Sequence, residues 1–453
     1  MRKHFAALWI GIGIGLAPTF ASGEESEPSG DAEQRTVDPW DQSSDYRSLR
    51  AGEGFRTSLF GFDVDEEARD RRSTSAIDVG TTAYFDGPDE GSLIPFASLY
   101  FWRRPDEQRF LRATVGGIYN DIVAARSFGD SPFEILLEFE NNTVWFDDNA
   151  QWIDGEREEK EELRKMSVRG GAGLGYRRQL VPGWKPLVFA EGVHPQRPDN
   201  MFSIYLLAEP KYLYFSERNS ADTFVLPQDT WELTGRLGMR WDQLERNLMD
   251  LAHEGFAVGF DATYGWRTNW EDWGLDGSRH ARDGRYPKQI KGYLIGATGV
   301  PALNERHRLI GMLHGGQGWD LDRFSQPRVG GGPRGNEFLS LARPILPGAA
   351  INEFTPDQHY AIALAEYRYE LMFFAYLSAY GGVGYLDRER LGPARFAGEI
   401  ERENDVLYPV GVRFTGPFFF RSQIQLEYNY NFDVIRDGHR GGGEIVAHLS
   451  TSF

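Results

Sequence analysis

Between Ile424 and Val434 the chain alternates without a break. Ile424, Leu426, Tyr428, Tyr430, Phe432 and Val434 take one set of positions, and Gln425, Glu427, Asn429, Asn431 and Asp433 the other. A helix would scatter these residues around its axis, whereas a strand sends successive side chains to opposite faces. The last ten residues repeat the pattern: Ile445, Ala447, Leu449, Thr451 and Phe453 oppose Glu444, Val446, His448, Ser450 and Ser452. From Trp231 to Trp241, Trp231, Leu233, Leu237, Met239 and Trp241 share a face with Gly235, against Glu232, Thr234, Arg236, Gly238 and Arg240. Val168, Ala172, Leu174 and Tyr176 oppose Arg169 and Arg177 in the same way.

Ten such residues at about 3.3 Å each, tilted by about 40°, rise roughly 25 Å, the height of the apolar band of a membrane barrel. The Trp residues at the ends of that strand match its aromatic girdles. About sixteen segments of this kind can be counted, starting near Ser75, Phe96, Phe110, Phe133, Ser167, Pro186, Phe202, Trp231, Phe256, Gln289, His307, His359, Met372, Leu407, Arg421 and Glu444. A high aromatic content (14%) with a low mean hydropathy (−0.48) fits apolar outer faces diluted by a polar lumen and long loops. The expected fold is all-β: a closed antiparallel transmembrane barrel of about sixteen strands with a lumen-folded loop and short amphipathic helices. One helix is expected over Asp242–His253, where Leu244, Leu248 and Leu251 recur at helical spacing before Gly255. Strand parity places it on the periplasmic side. Gln151–Met166 reads as a solvated charged turn, with a helix as the alternative.

Residues 1–21 read as a signal peptide: a basic start, an apolar stretch and then small residues. The Gly11, Gly13 and Gly15 repeat falls within it and is no dinucleotide motif. Residues 22–74 read as a polar periplasmic N-terminal segment, of which Glu24 to about Arg50 is a disordered or loosely ordered tail, and 75–453 as the barrel. No later run is long and apolar enough for a transmembrane helix. The absence of cysteine fits a large exported envelope protein, and the formal charge of −18 argues against nucleic acid as a partner.

One stretch narrows the reading. Gly330-Gly331-Gly332-Pro333-Arg334-Gly335, with Phe338 the nearest aromatic, lies in the long connection between the eleventh and twelfth segments. A strand with Glu366, Arg368 and Tyr369 follows. This resembles the BamA/TamA-type surface-antigen superfamily, whose barrels carry a glycine-containing loop with an Arg-Gly-aromatic tip followed by a Glu-x-Arg-aromatic strand. The resemblance implies a loop folded into the lumen, with Arg334 at its tip and Glu366 as the wall acceptor beside Arg368. Physically, a guanidinium fork on a wall carboxylate is a strong anchor. It also implies that Leu449 and Phe453 belong to a C-terminal insertion signal. The chain departs from the family pattern: Asn336-Glu337 separates Gly335 from Phe338, Ala379 stands where the family has an Asp, and Glu370 where it has a Pro. Residues 22–74 are too short and too polar for a POTRA domain, so a short, barrel-only member is expected.

Catalytic motifs are weak. His314-Gly315-Gly316 has no GxSxG partner, the glycine string 170–175 belongs to a strand, and the histidines lack metal-ligand spacing. We expect no enzyme, no cofactor and no metal. The expected setting is the bacterial outer membrane, with its lipids and lipopolysaccharide, the barrel-insertion machinery and an unidentified periplasmic partner as contacts. The expected role is outer-membrane biogenesis or lipid homeostasis with a plugged lumen. A passive porin or solute channel is the alternative. A rim hydrolase is the second alternative, using the acid- and His-bearing loop Trp266–Lys288 with Glu271, Asp272, Asp276, His280 and Asp283.

Overall fold

The computed structural model describes residues 34–452 apart from 60, 69–72, 86–92, 104–107, 117–118, 144–150, 154–155, 159–162, 180–200, 217–221, 223, 278, 333–342, 357, 392–399, 418–421 and 437–438. Sixteen antiparallel strands close into a barrel. In order they are Ser73–Phe85, Leu93–Arg103, Arg109–Val115, Tyr119–Ser127, Phe133–Thr143, Arg164–Gln179, Met201–Ser216, Thr230–Asp242, Ala252–Arg267, Lys288–Gly299, His307–Trp319, His359–Met372, Ala375–Leu391, Ile400–Leu407 continued by Pro409–Pro417, Ser422–Arg436 and His439–Ser452. The last strand pairs with the first, from Gly443↔Phe85 to Ser452↔Ala76, so the first strand begins and the last one ends at the same end of the barrel. We call this the terminal end. Connections after even-numbered strands also lie there.

The alternation works inside out, as expected. Ile445, Leu426 and Tyr428 are exposed on the outer wall, while Glu444, Glu427 and Asn429 are buried in the lumen. Tyr367 faces outward between the lumenal Glu366 and Arg368. Parity fails once. A register shift between Asn431 and Ile435 turns Val434, expected on the outer face, fully inward.

The count of sixteen stands, but one segment differs. The Pro186 segment falls outside the described residues, and Arg164–Gln179 pairs directly with Met201–Ser216. The additional strand is Tyr119–Ser127, which alternates so briefly after a short turn that it merges by eye with its neighbour. Within Gln151–Met166, Gln151–Ile153 and Glu156–Glu158 form a small hairpin.

Among the described residues there is no helix. Asp242–His253 is instead a hairpin. Glu245–Arg246 pairs back onto the start of the ninth strand. The Asn247 side-chain oxygen accepts from the Met249 and Leu251 N–H groups, and Asp250 has φ +56°. This local side-chain bonding competes with helix formation. The leucine spacing arises because both legs of the hairpin turn apolar residues inward. Leu244 packs with Ala257, Ile295 and Ile310. Leu248 packs against a cluster of Val37, Leu49, Phe55 and Phe373. Leu251 is also buried.

That second cluster corrects the expectation of a loose N-terminal tail. Described residues of the segment from Gln34 pack against the barrel. Arg35–Thr36, Phe55–Leu59 and Phe62–Glu66 form a three-stranded sheet. Residues 37–51 cover turns of the terminal end: Ala51 N–H donates to Arg246 C=O, and Leu248 N–H to Leu49 C=O. The segment is polar in composition because its polar groups are consumed by the barrel rim.

Candidate functional site

The lumen is divided in two. One half, along strands twelve to sixteen and the first strand, is filled by the connection between strands eleven and twelve. Val329, Leu346, Ala349 and Phe354 of this loop pack on Ile362, Leu386, Leu407 and Val434 of the wall. The loop is also held by charge. The Glu444 carboxylate, fully buried, accepts from the backbone N–H of Gly332 at 2.5 Å and of Gly348 at 3.2 Å. Glu353 of the loop forms a two-pronged ion pair with Arg436. The Asn431 amide donates to the Pro347 carbonyl. Gly331 sits so close to the wall that a Cβ there would lie 2.7 Å from a Glu444 oxygen and collide with the Ala349 carbonyl. This close approach is what a glycine run permits.

The expected glycines Gly330, Gly331 and Gly332 are therefore in the lumen, and Glu444 is the wall acceptor of the Gly332 N–H. Arg334, Gly335 and Phe338 lie outside the described residues. Glu366 is buried in the wall. It accepts from Arg368 Nε at 3.0 Å, from the Ser378 hydroxyl at 2.8 Å and from Arg413 at 2.6 Å. Arg368 in turn donates to the Ala252 carbonyl at 2.5 Å. A polar belt runs on from Arg413 through Glu427, the Tyr380 hydroxyl and Asn429 to Glu444. It joins the loop anchor to the Glu-x-Arg strand. Such a network gives order chiefly when every member is satisfied. Leu449 faces outward, part-buried, and Phe453 is outside the described residues. The sequence places Glu444 on the polar face of the last strand, but its pairing with Gly332, 112 residues away, has no local signal.

The other half of the lumen is a cavity of about 720 Å³, walled by strands two to ten and roofed by Leu321–Arg328. Its carboxylates are matched to cations across the wall. Asp121 pairs with Arg112 and Glu140 with Arg169, each at 2.5 Å. Arg236 reaches both Glu138 and, at 3.0 Å, Glu209. Asp261 takes Arg240 at 2.6 Å and the Tyr205 hydroxyl at 3.0 Å. Glu232 takes Arg267 at 2.7 Å and Lys211 at 3.4 Å. Above the roof, Phe215, Phe224, Trp270, Trp273 and Phe324 form an aromatic cluster, with Arg267 over the Trp270 ring at 4.3 Å. In the rim loop proposed for hydrolysis, His280 Nδ1 lies 3.9 Å from Asp272, both exposed.

The terminal end carries a second set of polar contacts that the sequence reading missed. Arg306, fully buried, donates to the carbonyls of Pro39, Asp41, Glu370 and Leu371. Tyr46 and Ser48 hydroxyls both donate to the Glu370 carboxylate. Glu305 accepts from Arg50 at 3.1 Å and from the Ser48 N–H at 3.1 Å, with His253 Nε2 at 3.5 Å and Arg308 at 3.3 Å. Partial burial pushes the Glu305 carboxyl up, but the bonds from His253 and Arg50 outweigh it and hold the group well below the usual carboxylate range. Burial and the neighbouring Glu370 push the Tyr46 hydroxyl well up, so it stays a donor. Among the described residues no group of His and acidic side chains is placed to hold a metal ion.

No family model matches the chain, and no curated protein does. Several solved barrels resemble it in outline. CdiB from Acinetobacter baumannii is 9% identical, with a TM-score of 0.46 over 90% of this chain and 64% of that one. BamA from Haemophilus ducreyi lacking POTRA domains 1–3 is 11% identical, with a TM-score of 0.43 over 88% and 75%. OccK5 (OpdH) from Pseudomonas aeruginosa is 9% identical, with a TM-score of 0.30 over 84% and 98%. The chain thus spans just under two thirds of the length of the CdiB chain. The functional reading rests on the geometry above.

Proposed function

We propose that the chain is a bacterial outer-membrane barrel held closed at rest, acting in outer-membrane biogenesis or lipid homeostasis without a catalytic step of its own. The observation that carries this is the fixing of the lumenal loop backbone to the wall by Glu444, reinforced by the N-terminal segment across the terminal end. The surface-antigen resemblance of the sequence supports a structural role for the lumenal loop, and lipids and the insertion machinery as contacts. A second reading, a solute channel, is favoured by the charged half-lumen cavity. Planar-bilayer recording separates the two. A closed barrel gives small, unstable currents that grow when the loop is released; a channel gives large steady currents in the unmodified protein.

A further inference from the structure

The half-lumen cavity contains a spare cation. Lys291, on the tenth strand, lines this cavity and stands directly across the ladder from Asp261. The two would be the natural cross-strand pair. Yet Arg240 and the Tyr205 hydroxyl have taken the Asp261 oxygens. Among the described residues Lys291 makes no hydrogen bond or ion pair. Asp261 still attracts it from across the ladder, while Arg236, Arg240 and Arg169 oppose it with positive charge, and the carboxylates of those arginines are already engaged.

We propose that this half of the lumen binds an oxyanion, a carboxylate or a phosphate, on the Lys291 ammonium. An ammonium offers three donors and no acceptor. In a half-buried site an ammonium with no hydrogen-bonded partner is a favourable seat for an anion. The neighbouring guanidiniums add to the positive field at that point, while the Tyr205 and Tyr293 rings, stacked near Arg240 at 5.9 and 5.8 Å, hold the arginine in place. A volume of about 720 Å³ falls within the range of small-molecule sites. The cavity therefore selects a small anion over a cation of the same size, whether or not the barrel conducts.

The test is isothermal titration of the full-length protein in neutral detergent at low salt, with succinate and, separately, inorganic phosphate. Saturable one-site binding of at least one of them is expected. Lys291→Gln should weaken it about tenfold or more, and Lys291→Arg should leave it within about threefold, since a charged donor is restored. Heat-modifiable gel mobility confirms that each variant is folded. Binding only of phosphatidylglycerol mixed into the detergent, lost in Lys291→Gln, would assign the same site to a lipid phosphate. Absence of binding to all three, or binding equally strong in folded Lys291→Gln, overturns the proposal.

Discussion

Arg306 sits over the Tyr46 ring, its guanidinium carbon 4.0 Å from the ring centroid. One residue belongs to a turn of the barrel and the other to the N-terminal segment, 260 positions earlier. The arginine fork is filled by four backbone carbonyls, two from each side. It therefore works as a rivet between the cap and the rim.

Removing the rivet should release the cap while leaving the barrel closed. Arg306→Ala forfeits a buried cation–π contact and several charge-assisted hydrogen bonds, together on the order of 2–5 kcal/mol. Limited trypsin digestion reads this out: Arg50, largely buried in the folded cap, should become cleavable in the variant, with the barrel core intact. A cap as protected as in the unmodified protein would show that the rivet is dispensable.

Attachment of the cap should also depend on pH through Glu305. The bonds from His253 and Arg50 hold its carboxyl below the ordinary carboxylate value of about 4.5, so its contribution is fully present above about 4.5 and is lost as pH falls through the lower folded value. The groups facing it are Arg50, His253 and Arg308, with the Ser48 N–H. Spin labels at Asp63 and Leu303 should give a narrow distance distribution at pH 7 that broadens between about pH 4.5 and lower values. Glu305→Gln should broaden it already at pH 7.

The barrel was legible in the sequence because its outer wall carries apolar side chains at every second position, as at Leu426, Tyr428 and Ile445. The site was less so. The Gly330–Gly332 run marked the loop, but its partner Glu444 lies 112 residues away and is chosen by barrel closure, which no local pattern encodes. The leucines 244, 248 and 251 were read with a helical period because strand legs joined by a tight turn can imitate it over ten residues. The cap escaped notice because the residues that hold it, Tyr46, Ser48 and Arg50, are polar, and their partners lie in turns far along the chain.

The loop anchor yields a prediction about conductance. Glu444→Ala removes the acceptor of two backbone N–H groups and of the Asn429 amide. Leaving buried donors unpaired costs about 1–3 kcal/mol each. Gly331→Ala should act similarly by pushing the loop off the wall. Both variants should show larger and longer-lived single-channel openings than the unmodified protein. Unchanged currents in both would mean that the loop does not limit the pore.

The last prediction concerns orientation and rests on parity. The turn bearing Leu303 follows the tenth strand and lies at the terminal end, with the N-terminal cap. Arg282 lies in the connection after the ninth strand, at the opposite end. Both side chains are exposed, Leu303 at 53% and Arg282 at 81%. In outer-membrane barrels short turns face the periplasm and long loops the exterior, and the 39-residue plug connection, 320–358, lies at the Arg282 end. The chain has no native cysteine to confuse the signal. On intact cells an impermeant maleimide should label Arg282→Cys and spare Leu303→Cys, and permeabilising the outer membrane should expose Leu303→Cys as well. The reverse pattern would put the cap and its Arg306 rivet outside the cell. Labelling of neither until the inner membrane is breached would remove the chain from the outer membrane altogether.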